Sequence, residues 1–261
     1  MNWFIAPFVN ALFGFYYLLG NFGWSIVAVT VIIRLILMPL VWPSLKSSIK
    51  MQALQPKLKK LQEKFGKDKQ GLAKAQMEMY KAEGVNPLSG CLPNILQIAV
   101  LMIFFSAFNM VTSFSEGKGS MDQINSNLIS QFKINQDFRF DVNFMGSNLT
   151  QTPSKIFSNG INLELLLPIL LLVGSGVLQF WSAKLMMPAP KLDEKVVKAT
   201  PDKEDDIMGA MRTQTTYLMP LMTIFIGWNF SLGLLLYWFI NSLVMIIQQL
   251  VMNKINPSVP R

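Results

Sequence analysis

One arginine constrains this chain more than any other residue. Arg34 sits near the middle of Trp24–Trp42, WSIVAVTVIIRLILMPLVW, a run otherwise made of apolar residues plus Ser25 and Thr30. A run of that length can cross a bilayer core, which needs roughly 20 apolar residues. At ~1.5 Å of rise per residue, the nearer polar end, around Pro43, is on the order of 14 Å from Arg34. The side chain can snorkel over only part of that distance. Arginine at a helix centre costs about 2.5–3.5 kcal/mol on insertion scales and usually faces a bundle interior or a water-filled cavity. The sequence therefore implies a wet, positively charged place inside a membrane.

The rest of the chain agrees. Hydrophobic residues make up 51% of it and fall in long runs, the pattern of an integral membrane protein built as one membrane domain. The expected fold is all-α, with five transmembrane helices, a cytoplasmic helical hairpin and an N-terminal interfacial helix. The interfacial helix occupies 1–21 and the first span 22–43. The hairpin follows at 44–86, then the second span at 87–114. An extracytoplasmic loop fills 115–162 and the third span 163–185. A cytoplasmic loop at 186–213 leads to a fourth span at 214–230, a fifth at 231–253 and a tail at 254–261. The fourth and fifth spans together are short for two crossings, so the bilayer thins around them or one is re-entrant.

Loop charges set the orientation. Ten lysines lie in 43–91 and five basic residues in 186–216, against four in 115–162. Positive loops stay inside, so the N-terminus is expected out and the C-terminus in. The net charge of +8 points to anionic lipid rather than to nucleic acid. Residues 1–20 contain no Lys, Arg or Cys, so no cleaved or lipidated leader is expected. Their aromatics, Trp3, Phe4, Phe8, Phe15, Tyr16 and Tyr17, suit a helix lying along the headgroups. In the hairpin, Leu54, Leu58, Leu61 and Phe65 recur at helical spacing, as do Leu72, Ala75, Met79 and Ala82, and Gly66 and Gly71 bracket the turn. The segment 115–160 is rich in Ser, Asn and Gly and reads as a polar external loop. Residues 188–206 are charged, with three prolines, and read as a mobile cytoplasmic loop.

Chemistry has few places to reside. With no histidine, the usual general base and the commonest metal ligand are missing. The single cysteine, Cys91, forms no intrachain disulfide. No span contains Asp, and no metal-ligand cluster or phosphate-binding glycine loop appears, so neither enzyme chemistry nor a cofactor is expected. Polar residues do interrupt the apolar runs. Thr30 and Arg34 are four apart and share a helix face. Gln97 lies in the second span, Gln179 in the third, and Asn241, Gln248 and Gln249 in the fifth. A lone Gln or Asn is ordinarily an interhelical hydrogen bond. Arg34 differs: the only carboxylate near a span is Glu164, at the outer edge of the third, so water is the expected solvation of the guanidinium. A small-solute or anion transporter with an anion-attracting Arg34 is the alternative reading.

Several stretches in order resemble the YidC/Oxa/Alb family of membrane protein insertases. They are IIRLILMPL with KSSIKMQALQPKLKKLQEK after it, YKAEGVNPLSGCLP, LPILLLVGSGVLQ and GLLLYWFINSLVMIIQQ, and the likeness runs from about Trp3 to Asn253. The resemblance implies a five-span core and a hydrophilic groove, open to the cytoplasm and to lipid, that inserts other proteins alone or with the Sec translocon. Its groove arginine and threonine fall on Arg34 and Thr30, its polar positions on Gln97 and Gln179, and its aromatic pair on Tyr237 and Trp238; Asn241 is counted with them. The implied partners are nascent membrane proteins with acidic N-terminal tails, the Sec translocon and the ribosome, together with anionic lipids, at a bacterial cytoplasmic membrane. The chain departs from the family in four ways. Ser231-Leu232-Gly233-Leu234 stands for the usual Pro-x-Gly-Leu, which puts the turn before the fifth span in question. Ala99 stands for a frequent proline. The loop at 186–212 is longer and more acidic. Neither a large periplasmic domain with its leading span nor ribosome docking by a long basic tail is expected.

Overall fold

The computed structural model describes residues 5–65, 68–85, 92–135, 137–160, 162–186 and 213–255. Gly66, Cys91, most of the expected cytoplasmic loop and the end of the tail lie outside them. The described chain is helical apart from one short β-hairpin. Its helices are α1 (Ala6–Leu19), α2 (Phe22–Ala53), α3 (Gln55–Phe65), α4 (Lys69–Ala82), α5 (Leu92–Ser115), α6 (Met121–Asn125), α7 (Pro153–Ser158), α8 (Leu166–Met186), α9 (Met219–Gly227) and α10 (Leu232–Ile255). Four of them, α2, α5, α8 and α10, are long and apolar enough to cross a membrane. The expected fourth span is only the 9-residue α9, preceded by a π-helical turn over Gln214–Leu218.

α2 is one helix of 32 residues and does not stop at Pro43. Pro39 and Pro43 each lack the N–H that would bond four residues back, to the carbonyls of Leu35 and Pro39, so the loss falls on one stretch of the helix. The chain falls into two compact units: Met1–Leu37, Asn94–Gly176 and Met222–Val244 form one, and Met38–Pro93, Val177–Leu221 and Met245–Arg261 the other.

The first unit is built around phenylalanine. Phe8, Phe13, Phe22, Phe104, Phe108, Phe140 and Tyr237 are buried in one core. Helix α1 packs Ala6, Phe8, Val9, Leu12 and Phe13 into it. Phe8, expected among headgroups, instead meets Phe104 edge-on at 5.6 Å. A polar side chain clamps α1 in place: Asn10 donates to the Asn127 carbonyl at 2.7 Å and accepts from the Ile129 N–H at 2.8 Å.

The segment 115–162 is therefore more than a polar loop. It holds α6, a hairpin of β1 (Asn143–Phe144) and β2 (Ser147–Asn148), and α7. Its Ile124, Leu128, Ile134, Phe140, Val142, Phe144, Leu149 and Ile156 join the core. It also resolves the turn before α10. The Leu232 and Gly233 N–H groups donate to the carbonyls of Gln151 and Leu149 at 2.8 and 2.9 Å. Two of the N–H groups that any helix start leaves open are thereby satisfied without the family's proline.

In the second unit, α3 and α4 form the expected hairpin around Met51, Leu54, Leu58, Tyr80 and Val85. Lys57 and Glu83 pair on its surface. Gly71 is not in the turn. It lies in the first turn of α4, where its N–H donates to the capping carboxylate of Asp68 at 3.0 Å.

Candidate functional site

Three helices of the first unit bring their polar residues together at Arg34. The side chain is 9% exposed. Its Nε donates to Asn241 Oδ1 on α10 at 2.6 Å, and its Nη2 donates to Gln97 Oε1 on α5 at 2.6 Å. The Gln97 amide then donates to the Tyr237 hydroxyl at 3.0 Å. Tyr237 and Asn241 are four apart on α10, so one helix face supplies both. Beside the water expected to solvate the guanidinium, neutral amide carbonyls from two other helices hold it.

The local reasons are simple. A guanidinium has five donors in a planar fork, so partners from different helices can meet it at once. Side-chain carbonyls carry dipoles but no charge. They orient the cation without cancelling it, and no Asp or Glu occurs anywhere in α2, α5, α8, α9 or α10. In a poorly polarisable interior such bonds are stronger than in water, and they polarise one another.

Thr30, one turn before Arg34, is buried and donates to the Ile26 carbonyl at 2.6 Å. Its hydroxyl is spent on its own helix as a donor but keeps acceptor capacity. Trp238 is half-buried and stacks on Phe230, with ring centroids 6.1 Å apart. Gln179 is half-buried on the part of α8 that belongs to the second unit. Phe104 was not anticipated. Its ring stacks on Tyr237 at 4.3 Å and 15°, fixing the phenol toward Gln97. Phe104 follows Gln97 by seven residues on α5, a helical spacing that marked it as a neighbour.

The second unit has polar groups of its own. Ser182 Oγ, Thr216 Oγ1 and Gln249 Oε1 are buried and find no hydrogen-bond partner among the described residues. Thr216 sits within the π-helical turn, a geometry frequent at functional sites. Serine and threonine among the span residues had no charge to draw attention to them.

Residues 14–258 match the family described as 60Kd inner membrane protein. Among curated relatives, a protein of Pelobacter propionicus titled "Membrane protein insertase YidC" is 28% identical over 98% of this chain and 40% of its own length. Proteins with the same title from Legionella pneumophila (strain Corby) and Helicobacter pylori are 32% and 31% identical. These two alignments cover 95% and 92% of this chain, and 35% and 34% of the relatives. The chain thus spans well under half the length of the curated relatives it matches.

Proposed function

The chain belongs to the 60Kd inner membrane protein family, and we propose that it is a membrane protein insertase of a bacterial cytoplasmic membrane. The observation that carries this reading is Arg34, a cation held among span helices by the neutral carbonyls of Gln97 and Asn241. A fixed cation there attracts the acidic residues of a substrate's N-terminal tail. At 4 Å and an effective dielectric of about 20, one such pair is worth on the order of 4 kcal/mol before desolvation. The tail is the costly part of insertion, because its polar groups must cross hydrocarbon. Burial of the substrate's apolar span, at about 25 cal/mol per Å², drives the process without a nucleotide.

Gln97, Tyr237, Asn241 and Thr30 shape this site and Trp238 extends it toward the substrate's path, while Gln179 is a polar position of the second unit's own. The buried hydroxyls and amide of Ser182, Thr216 and Gln249 favour water in the second unit, which shortens the dry path. α9 with its π-helical turn makes a short fourth crossing, for five spans with the N-terminus out, and the short crossing thins the bilayer locally. The lysines of α3 and α4 face anionic lipid and arriving substrates, and the Sec translocon and the ribosome are further partners. Family membership does not favour the small-solute transporter.

The test is insertion of a small single-span protein with an acidic N-terminal tail into liposomes holding the purified chain. Insertion exceeds that of empty liposomes, falls by about tenfold or more with Arg34→Ala, and is largely kept with Arg34→Lys, because one charge carries the attraction. Insertion equal to that of empty liposomes overturns the reading. Insertion indifferent to Ala keeps the insertase and removes Arg34 from its mechanism.

A further inference from the structure

The segment between α5 and α8 carries a surface that neither the insertase reading nor the loop's polar composition explains. Its β-hairpin ends in Met145 and Gly146, both with positive φ, 50° and 83°. Glycine takes that conformation freely, whereas methionine does so at a cost. The strained turn presents Met145, 76% exposed, at the hairpin tip. A large apolar side chain is thus held outward at the end of a loop.

Four contacts fix where that tip lies. Asn21 donates to the Asn143 carbonyl at 2.7 Å, and the Phe22 N–H donates to the Asp141 carbonyl at 3.0 Å. The Phe144 ring lies so close over Gly23 that a Cβ there would overlap it. The same ring meets Trp24 edge-on at 5.4 Å. The hairpin is therefore fastened to the first turn of α2, the helix that carries Arg34. On its other strand, the Ser147 hydroxyl reaches the Glu164 carbonyl at 3.4 Å, beside the start of α8. Around the tip, Trp24, Leu163 (85% exposed) and Leu166 are exposed too.

The sequence fits such a placement. Val142–Ser154 contains no Asp, Glu, Lys or Arg, while charges resume at Asp141 and Lys155 on either side. A stretch meant for water needs no such exclusion. One meant for the boundary between headgroups and acyl chains does, because charge there is costly and aromatic or apolar side chains are favoured. Further along α2 and α8, Ile32, Leu35, Ile36, Ile169 and Leu170 are exposed as well, as apolar side chains on a spanning helix would be toward lipid.

We propose that the hairpin 143–148 dips into the membrane, with Met145 seated among lipid headgroups and upper acyl chains beside the starts of α2 and α8. The occupant of this surface is the lipid of the protein's own membrane. The segment 115–162 is then a partly immersed seal rather than a loop standing in water. Through Leu149 and Gln151, the same segment holds the start of α10, which carries Tyr237 and Asn241.

The experiment labels Met145→Cys, in full-length protein with Cys91→Ser, with an environment-sensitive nitrobenzoxadiazole dye in phosphatidylcholine–phosphatidylglycerol vesicles. Leu163→Cys is labelled in parallel as a second reporter of the same depth. Both dyes are expected to be quenched severalfold more by a lipid nitroxide near the top of the acyl chain than by aqueous iodide. If iodide quenches both severalfold more than the nitroxide does, the hairpin stands in water and the proposal is overturned. A reversed result at 145 alone overturns it as well, because the tip itself is then outside. The readout involves no substrate, so it stands apart from the insertion assay.

Discussion

At Gly233 the chain has no room for even one carbon. A Cβ there would run into the Phe108 ring, and the residue's N–H is committed to the Leu149 carbonyl. Gly233→Ala must push ring or helix aside, at a cost of roughly 1–3 kcal/mol. Thermal unfolding in detergent will show a lowered midpoint, and Phe108→Leu in the same chain will recover part of the loss, since residues in contact couple. At this scale the sequence speaks through its anomalies. Arg34 stood out because it breaks an apolar run. Gln97, Tyr237 and Asn241 were named as polar or aromatic positions, but their mutual bonds were not legible. Gln97 lies on one helix, Tyr237 and Asn241 on a second and Arg34 on a third, and only the fold sets the rotation of each. The amide carbonyls that meet Arg34 were hidden for the same reason, since they carry no charge and are common in spans.

Elements with a clean period were the easiest to read. The four long helices were apparent as apolar runs, and the hairpin as two amphipathic stripes. Where the period fails, the reading failed with it. Ile124, Leu128, Ile134, Phe140 and Ile156 are scattered singly among Ser, Asn and Gly, so 115–162 showed no face to bury, although it buries all five. Gly71 brackets the turn in the sequence because glycine usually marks a break there, and it stands two residues inside α4. Its actual part is steric, since a Cβ there would collide with the Asp68 carboxylate. Asp68 is the N-cap of α4, and capping aspartates contribute about 1 kcal/mol. Asp68→Ala will therefore speed hydrogen exchange of the first α4 amides, Gly71 foremost, by about fivefold, the factor that 1 kcal/mol corresponds to. The exchange of α10 will not change.

For the whole molecule, the two units differ in what they are built to keep. The first packs aromatic rings densely and satisfies its Arg34 site with bonds between helices. The second holds the lysine-rich hairpin, its small core and several buried polar oxygens that find no hydrogen-bond partner among the described residues. Deleting residues 50–80 removes Met51, Leu54, Leu58 and Tyr80, nearly all of that small core, at once. The expected outcome is a chain that keeps its long helices, seen as unchanged protease protection of the spans in vesicles, but inserts substrate less well. Insertion at the original rate would count against a role for the hairpin.

The neutrality of the residues that hold Arg34 has an electrical consequence. A membrane potential does work only on net charge, about 2.3 kcal/mol per elementary charge per 100 mV. Gln97, Tyr237 and Asn241 add none, so these three residues leave the charge of Arg34 uncancelled. In the proposed insertase, a substrate carboxylate drawn to Arg34 is pulled outward by an inside-negative potential, while the arginine is pulled inward and is restrained by its bonds. In that reading the field acts to separate the pair in the direction of export.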